Sequence, residues 1–163
     1  MKKALLFIVI IFAISSPLEA KRLWAKSFIG KKAPKFEVEA WVSKKTRLNK
    51  KKFLLIDFWA TWCGPCRQAI PKLNGFAKKY KKQLEVVGIS NEPKHMIQKM
   101  KKPIIKFHST YDTKQKMAKQ LAVAGFPHVI IVNPKGIVVW EGCPYLKGHE
   151  LTEEVIEKLL AEK

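Results

Sequence analysis

Three arginines, Arg22, Arg47 and Arg67, are all that this 163-residue chain carries, although its formal charge is +19. The positive charge is therefore lysine, a flexible point charge, and the forked guanidinium contacts that read base edges are almost missing. The runs Lys50-Lys51-Lys52, Lys78-Lys79, Lys81-Lys82 and Lys101-Lys102 fall where loops or helix ends are expected. No nucleic-acid motif accompanies them, which favours a solvated basic surface with weak, non-specific attraction to anionic membrane over a specific nucleic-acid site. Cysteine is equally scarce. Cys63, Cys66 and Cys143 make one tight pair and one leftover, unlike the even, widely spaced set of a stapled fold. Beyond the first twenty residues no stretch approaches the roughly 20 apolar residues of a membrane span. Internal repeats and low-complexity linkers are absent too, and the length suits one domain that buries a core without staples.

The N-terminus differs from the rest. Met1-Lys2-Lys3 is basic, residues 4–14 are apolar, and Ser15-Ser16-Pro17-Leu18-Glu19-Ala20 is a small, helix-breaking exit. This is the layout of a secretory signal peptide over residues 1–20, cleaved after Ala20 or retained as an anchor. Residues 21–163 are then expected to form a single exported domain, periplasmic or otherwise extracytoplasmic, free or tethered by its N-terminus.

Within that domain, Phe36, Val38 and Ala40 alternate with Glu37 and Glu39, which predicts a short strand with one buried face. Residues 53–59 are apolar except for Asp57, as in a strand covered on both faces. Residues 65–80 predict a helix with Ile70, Leu73, Phe76, Ala77 and Tyr80 inward and a kink at Pro71. A second buried strand follows at 84–90, a helix at 93–100 and a short extended segment at 103–107. Asp112 or Thr113 is placed to cap a helix running to Leu121. Residues 129–132 and 137–140 flank Asn133-Pro134-Lys135-Gly136, a hairpin signal, and a closing helix occupies 151–160. The alternation predicts an α/β fold, a central mixed sheet flanked by helices, with an antiparallel hairpin on one side and an N-terminal strand extension.

Trp62-Cys63-Gly64-Pro65-Cys66 leaves a buried strand and opens a helix. Spacing of three puts both sulfurs in the first turn, close enough to bridge, and the unpaired amides there favour a thiolate on the first cysteine. Cys63 is thus the expected exposed nucleophile and Cys66 the resolving thiol. Pro65 suits the first turn, where its missing amide leaves nothing unpaired. A zinc site would need two more ligands, and Cys143 with His128 lacks ligand spacing, so no metal is expected. A purely structural role is disfavoured because so short a loop removes little entropy from the unfolded chain.

Ile56-Asp57-Phe58-Trp59-Ala60-Thr61-Trp62-Cys63-Gly64-Pro65-Cys66 resembles the active-site strand and turn of thioredoxins. The wider layout is similar to the exported TlpA/ResA-type branch, through Gly30-Lys31-Lys32-Ala33-Pro34-Lys35-Phe36, Val86-Val87-Gly88-Ile89-Ser90, Gly125-Phe126-Pro127 and Ile130-Ile131-Val132-Asn133-Pro134-Lys135-Gly136. The resemblance implies a thioredoxin-like fold, a cis bond before Pro127, and substrate pairing by the main chain of Phe126. It places Asp57 as the buried acid that takes and returns a proton for Cys66, and Trp62 on the substrate-facing rim. The family more often has a smaller or β-branched residue at position 126, so Phe126 is expected to alter access or shield the sulfurs. Trp59 and His128 are expected to pack in the core. Cys143 reads as a buried, inert thiol, with a regulatory or intermolecular thiol as the alternative.

The same fold can reduce, oxidise or isomerise disulfides. Gly64-Pro65 is the thioredoxin pair and points to a reductant of protein disulfides. Such a protein works without a cofactor, as a monomer, and draws electrons from a membrane thiol donor. A dithiol oxidase or isomerase, a peroxidase variant, and a basic module binding membrane or nucleic acid with incidental thiols remain as alternatives.

Overall fold

A computed structural model describes residues 27–162; the expected signal peptide and Trp24 lie outside them. Ten elements follow in order: β1 (Ala40–Trp41), β2 (Phe53–Trp59), α1 (Gly64–Lys79), β3 (Leu84–Ser90), α2 (Lys94–Lys99), β4 (His108–Tyr111), α3 (Lys116–Gln120), β5 (His128–Val132), β6 (Val138–Gly142) and α4 (Glu153–Ala161). They build one six-stranded sheet in the order β1-β4-β3-β2-β5-β6. The βαβ units set β2, β3 and β4 parallel, whereas β5 and β6 form the antiparallel hairpin and β1 closes the other edge antiparallel to β4.

Alternation along β2 divides the core in two. Leu55 and Trp59 face a layer with Cys66, Ile70, Leu73 and Phe76 of α1 and Ile156 and Leu160 of α4. Ile56 and Phe58 face the other layer, with Met117 and Ala118 of α3. No helix in that second layer is long, and the N-terminal segment covers the gap. Ile29 and Lys32 bridge Val138 and Ile137 at the β6 edge, and Phe28, Ala33, Phe36 and Val38 pack across the face toward β1.

Several local expectations need correction. The alternating segment from Phe36 forms ladder bonds only at Ala40–Trp41, because Phe36 and Val38 are satisfied by packing and Glu37 and Glu39 by Lys116 and Thr113 of the α3 region. The extended segment expected at 103–107 is not a strand; pairing starts at His108, after residues tied instead to α1 through Asn74 and Arg67. Helix α3 begins later than expected, at Lys116, after Gln115 in a left-handed conformation; Asp112 still accepts the Met117 amide at 3.2 Å. Helix α1 spans Gly64–Lys79 with Pro71 inside it, as expected. The bond before Pro127 is cis, as expected, and so is the one before Pro103.

Gly88 sits opposite Asp57 in the centre of the sheet, and its missing side chain makes room for the Trp59 ring. A Cβ there would stand 3.0 Å from Trp59 Nε1 and 3.1 Å from Phe107 Cε2, both held in the core. Gly88→Ala is therefore expected to destabilise the domain by about 1–3 kcal/mol through overpacking. Urea unfolding checks this; an unchanged midpoint would show that the ring has room to move.

Candidate active site

Strand β2 delivers the chain to the middle of the sheet, and Ala60-Thr61-Trp62 is enough to reach α1. Cys63 is the N-cap of that helix: its backbone is extended and its Sγ accepts the Cys66 amide at 3.2 Å. A sulfur thus stands where a hydroxyl or carboxylate oxygen usually satisfies a first-turn amide. Gly64 and Pro65 open the helix, and the cysteine Cα atoms are 5.3 Å apart with the sulfurs joined as a disulfide. Cys66 is fully buried. Cys63, expected to be exposed, is only 5% exposed in this oxidised form, because its Sγ turns inward to cap the helix and meet Cys66. The exposed group is the neighbouring Trp62, 69% accessible, with the Phe126 ring 6.1 Å away at a tilt of 42°. Phe126 thus sits beside the cysteine turn, and Pro127 joins it to β5.

Asp57 lies on β2 between Leu55 and Trp59 and points into the layer that contains Cys66. It is fully buried, and neither carboxyl oxygen has a hydrogen-bond partner among the described residues. Desolvation pushes its pKa from the ordinary 3.8 up to about 7. That value suits a group that exchanges a proton near neutrality. The alternative of a strand-end acid facing water is ruled out by its burial.

Glu92 also belongs to this turn, although no motif in the sequence marks it. Its carboxylate accepts the Thr61 amide at 2.5 Å and the Thr61 hydroxyl at 2.7 Å, and its own amide donates to Ser90 Oγ at 3.2 Å. It therefore bolts the turn before Cys63 to the end of β3. An acid just past a buried strand, at the same sheet end as the cysteine motif, was the available signal.

Other candidates fall outside this cluster. His128 is buried on the opposite face against Phe58, its pKa pushed down to about 4 by burial, so it packs as expected. Cys143 is a free thiol but is half-buried, not buried, because it lies in the turn beyond β6 where its carbonyl accepts the Leu146 amide. Among the described residues no three His, Cys, Asp or Glu side chains gather to hold a metal.

The AhpC/TSA family pattern matches residues 29–141, spanning every element of the site. The chain belongs to this family. Within it, the chain is 31% identical over 170 residues to the thiol-disulfide oxidoreductase ResA of Bacillus cereus, covering 97% of this chain and 96% of ResA. Among solved structures, a thiol:disulfide interchange protein DsbE from Chlorobium tepidum superposes with a TM-score of 0.65 at 28% identity, covering 82% of this chain and 96% of that one. The C-terminal domain of a thiol-disulfide oxidoreductase from Bacteroides thetaiotaomicron gives 0.67 at 26% identity, covering 86% and 99%. The fold is thioredoxin-like, with the Cys63–Cys66 pair at the start of α1.

The raised pKa of Asp57 carries a stability consequence. Below the ordinary value of 3.8 the acid is protonated both folded and unfolded; above it only the unfolded chain ionises, until about 7. Stability is therefore lost progressively as pH rises across that window and levels off above it. Asp57→Asn removes the loss, so the variant should become increasingly more stable than the parent from pH 3.8 to about 7. Urea titrations of the oxidised proteins read this; a gap independent of pH would mean that Asp57 ionises normally.

Proposed function

We propose that this chain is an exported thiol–disulfide oxidoreductase that reduces protein disulfides. The observation that carries the reading is a cysteine pair at a helix start, on the sheet face that also holds a dry, unpartnered acid. In the dithiol form the Cys63 thiolate attacks one sulfur of a client disulfide, one client thiolate leaves, and a mixed disulfide remains. Cys66 then loses its proton to the Asp57 carboxylate and attacks Cys63 Sγ, expelling the second client thiolate. Two electrons pass to the client, the Cys63–Cys66 disulfide forms, and the proton on Asp57 goes on to the departing thiolate or to water.

The direction rests on Gly64-Pro65, the pair of thioredoxin, whose potential is about −270 mV against about −120 mV for the strong oxidant DsbA. The likeness to ResA over nearly the whole chain supports the same direction. Location outside the cytoplasm rests on residues 1–20. There a reductant needs a supply of electrons, which we assign to a membrane thiol donor, and the lysine-rich surface adds a weak attraction to anionic lipid. We take the working form to be a monomer.

The test is a pair of single variants assayed by insulin disulfide reduction. Cys63→Ser should abolish turnover. Cys66→Ser should also stop turnover but accumulate a mixed disulfide with the client, visible on a non-reducing gel. Thiol trapping in intact cells should find the parental pair reduced. Insulin reduction unaffected by Cys63→Ser, or a pair found wholly oxidised in cells, would refute the reductase reading.

A further inference from the structure

The flank of the cysteine turn carries a feature that dithiol exchange itself does not use. Beside Gly64 an open groove runs along α1, with Pro71, Pro103 and Ile104 as its apolar lining and Arg67, Lys102 and Lys106 as its charges. Ile104 is 63% exposed, which leaves its aliphatic side chain open to a partner. Among the described residues no carboxylate lines this groove. Its outer wall is fixed in place. Arg67 Nη2 donates to the Lys102 carbonyl at 3.0 Å, Asn74 Nδ2 donates to the Ile104 carbonyl at 2.8 Å, and the Lys106 amide donates to Asn74 Oδ1 at 2.7 Å. A wall tied down in advance has little left to order when something docks. From Gly64 to Asn74 the helix rises roughly 15 Å, the length of about five residues of extended chain.

Resting on the reductase reading above, we propose that this groove is a client-docking site for an acidic, aliphatic-containing segment next to the client's disulfide. Three features select that occupant. The groove opens at the residue after Cys63, so a segment held in it has its cysteine at the reacting sulfur. Its cations are complementary to Asp and Glu. Its apolar lining accepts one aliphatic side chain between them. The other lysine-rich groove, with Lys44, Lys45, Lys52 and Lys81 and sharing Lys106 with the first, also contains Glu85, which is paired to Lys52 at 3.7 Å. It lies where β3 begins, at the sheet end away from the cysteines.

The test uses the reduced full domain and two short peptides, each closed by one disulfide and flanked by Asp-Leu-Glu or by Lys-Leu-Lys. Tryptophan fluorescence follows oxidation of the protein. At low salt the acidic peptide should react roughly tenfold faster than the basic one, and the ratio should shrink as salt is added. Lys102→Glu with Lys106→Glu should erase or reverse that ratio, whereas Lys44→Glu with Lys45→Glu, an equal change of net charge, should leave most of it. Ile104→Ser should slow the Asp-Leu-Glu peptide and bring it to the rate of one carrying Ser in place of Leu. Equal rates for both peptides, or equal effects of the two double variants, would overturn the docking site and leave the reductase reading standing. Failure to react with either peptide would overturn both.

Discussion

An uncompensated carboxyl under the sheet's central turn is the constraint on which the rest of the site depends. Asp57 is buried in the middle of β2 with no hydrogen bond to either oxygen, and burial alone holds its pKa near 7. Placing it there costs stability whenever it ionises. The cost arises because β2 is apolar on both faces and paired on both edges, with β3 on one side and β5 on the other, so water cannot reach the carboxyl. A hydrogen-bonding neighbour for the carboxylate would bring its pKa back toward that of an ordinary acid and would take away the proton acceptor that we propose for Cys66.

The remaining devices hold sulfur chemistry above that acid. The N-cap bond from the Cys66 amide to Cys63 Sγ orients the nucleophile within the turn, and Glu92 anchors Thr61 so that the turn does not drift from β3. Gly88 leaves room for the Trp59 ring beside it. At the far end of α1, Lys79 pairs with Glu153 and Glu157, and the Tyr80 hydroxyl donates to Glu157 at 2.8 Å. These contacts seat α4 beside α1, so the helix that presents the cysteines is held at both ends. Exposed Trp62 and half-buried Phe126 then form the aromatic margin of a site whose sulfurs are otherwise covered.

What could be read from the chain alone was what depends on near neighbours. The cysteine spacing, the inward stripe of α1, the apolar run of β2 and the Asn133–Gly136 turn each place their chemistry within a few residues, and each is found in the fold. Asp57 was legible because an acid inside an apolar strand has few places to go. Features that depend on distant partners were not. Glu92 matters only because β3 lies beside β2, which brings its carboxylate to Thr61. Residues 103–107 read as an extended segment until Asn74 and Arg67 take up backbone groups at Lys102, Ile104 and Lys106. The alternation at Phe36 and Val38 reflects packing against the α3 face and not strand pairing. Cys143 escapes burial because the hairpin ends one residue before it.

The central claim is that Asp57 takes the proton that makes Cys66 a nucleophile. Single-turnover resolution of a preformed mixed disulfide between Cys63 and a small thiol, compared at pH 7 between the parent and Asp57→Asn, tests it directly. The variant should resolve roughly 10²-fold more slowly, the size of effect expected from loss of a positioned base, with the gap closing as pH rises and hydroxide takes over. Equal rates at pH 7 would contradict it.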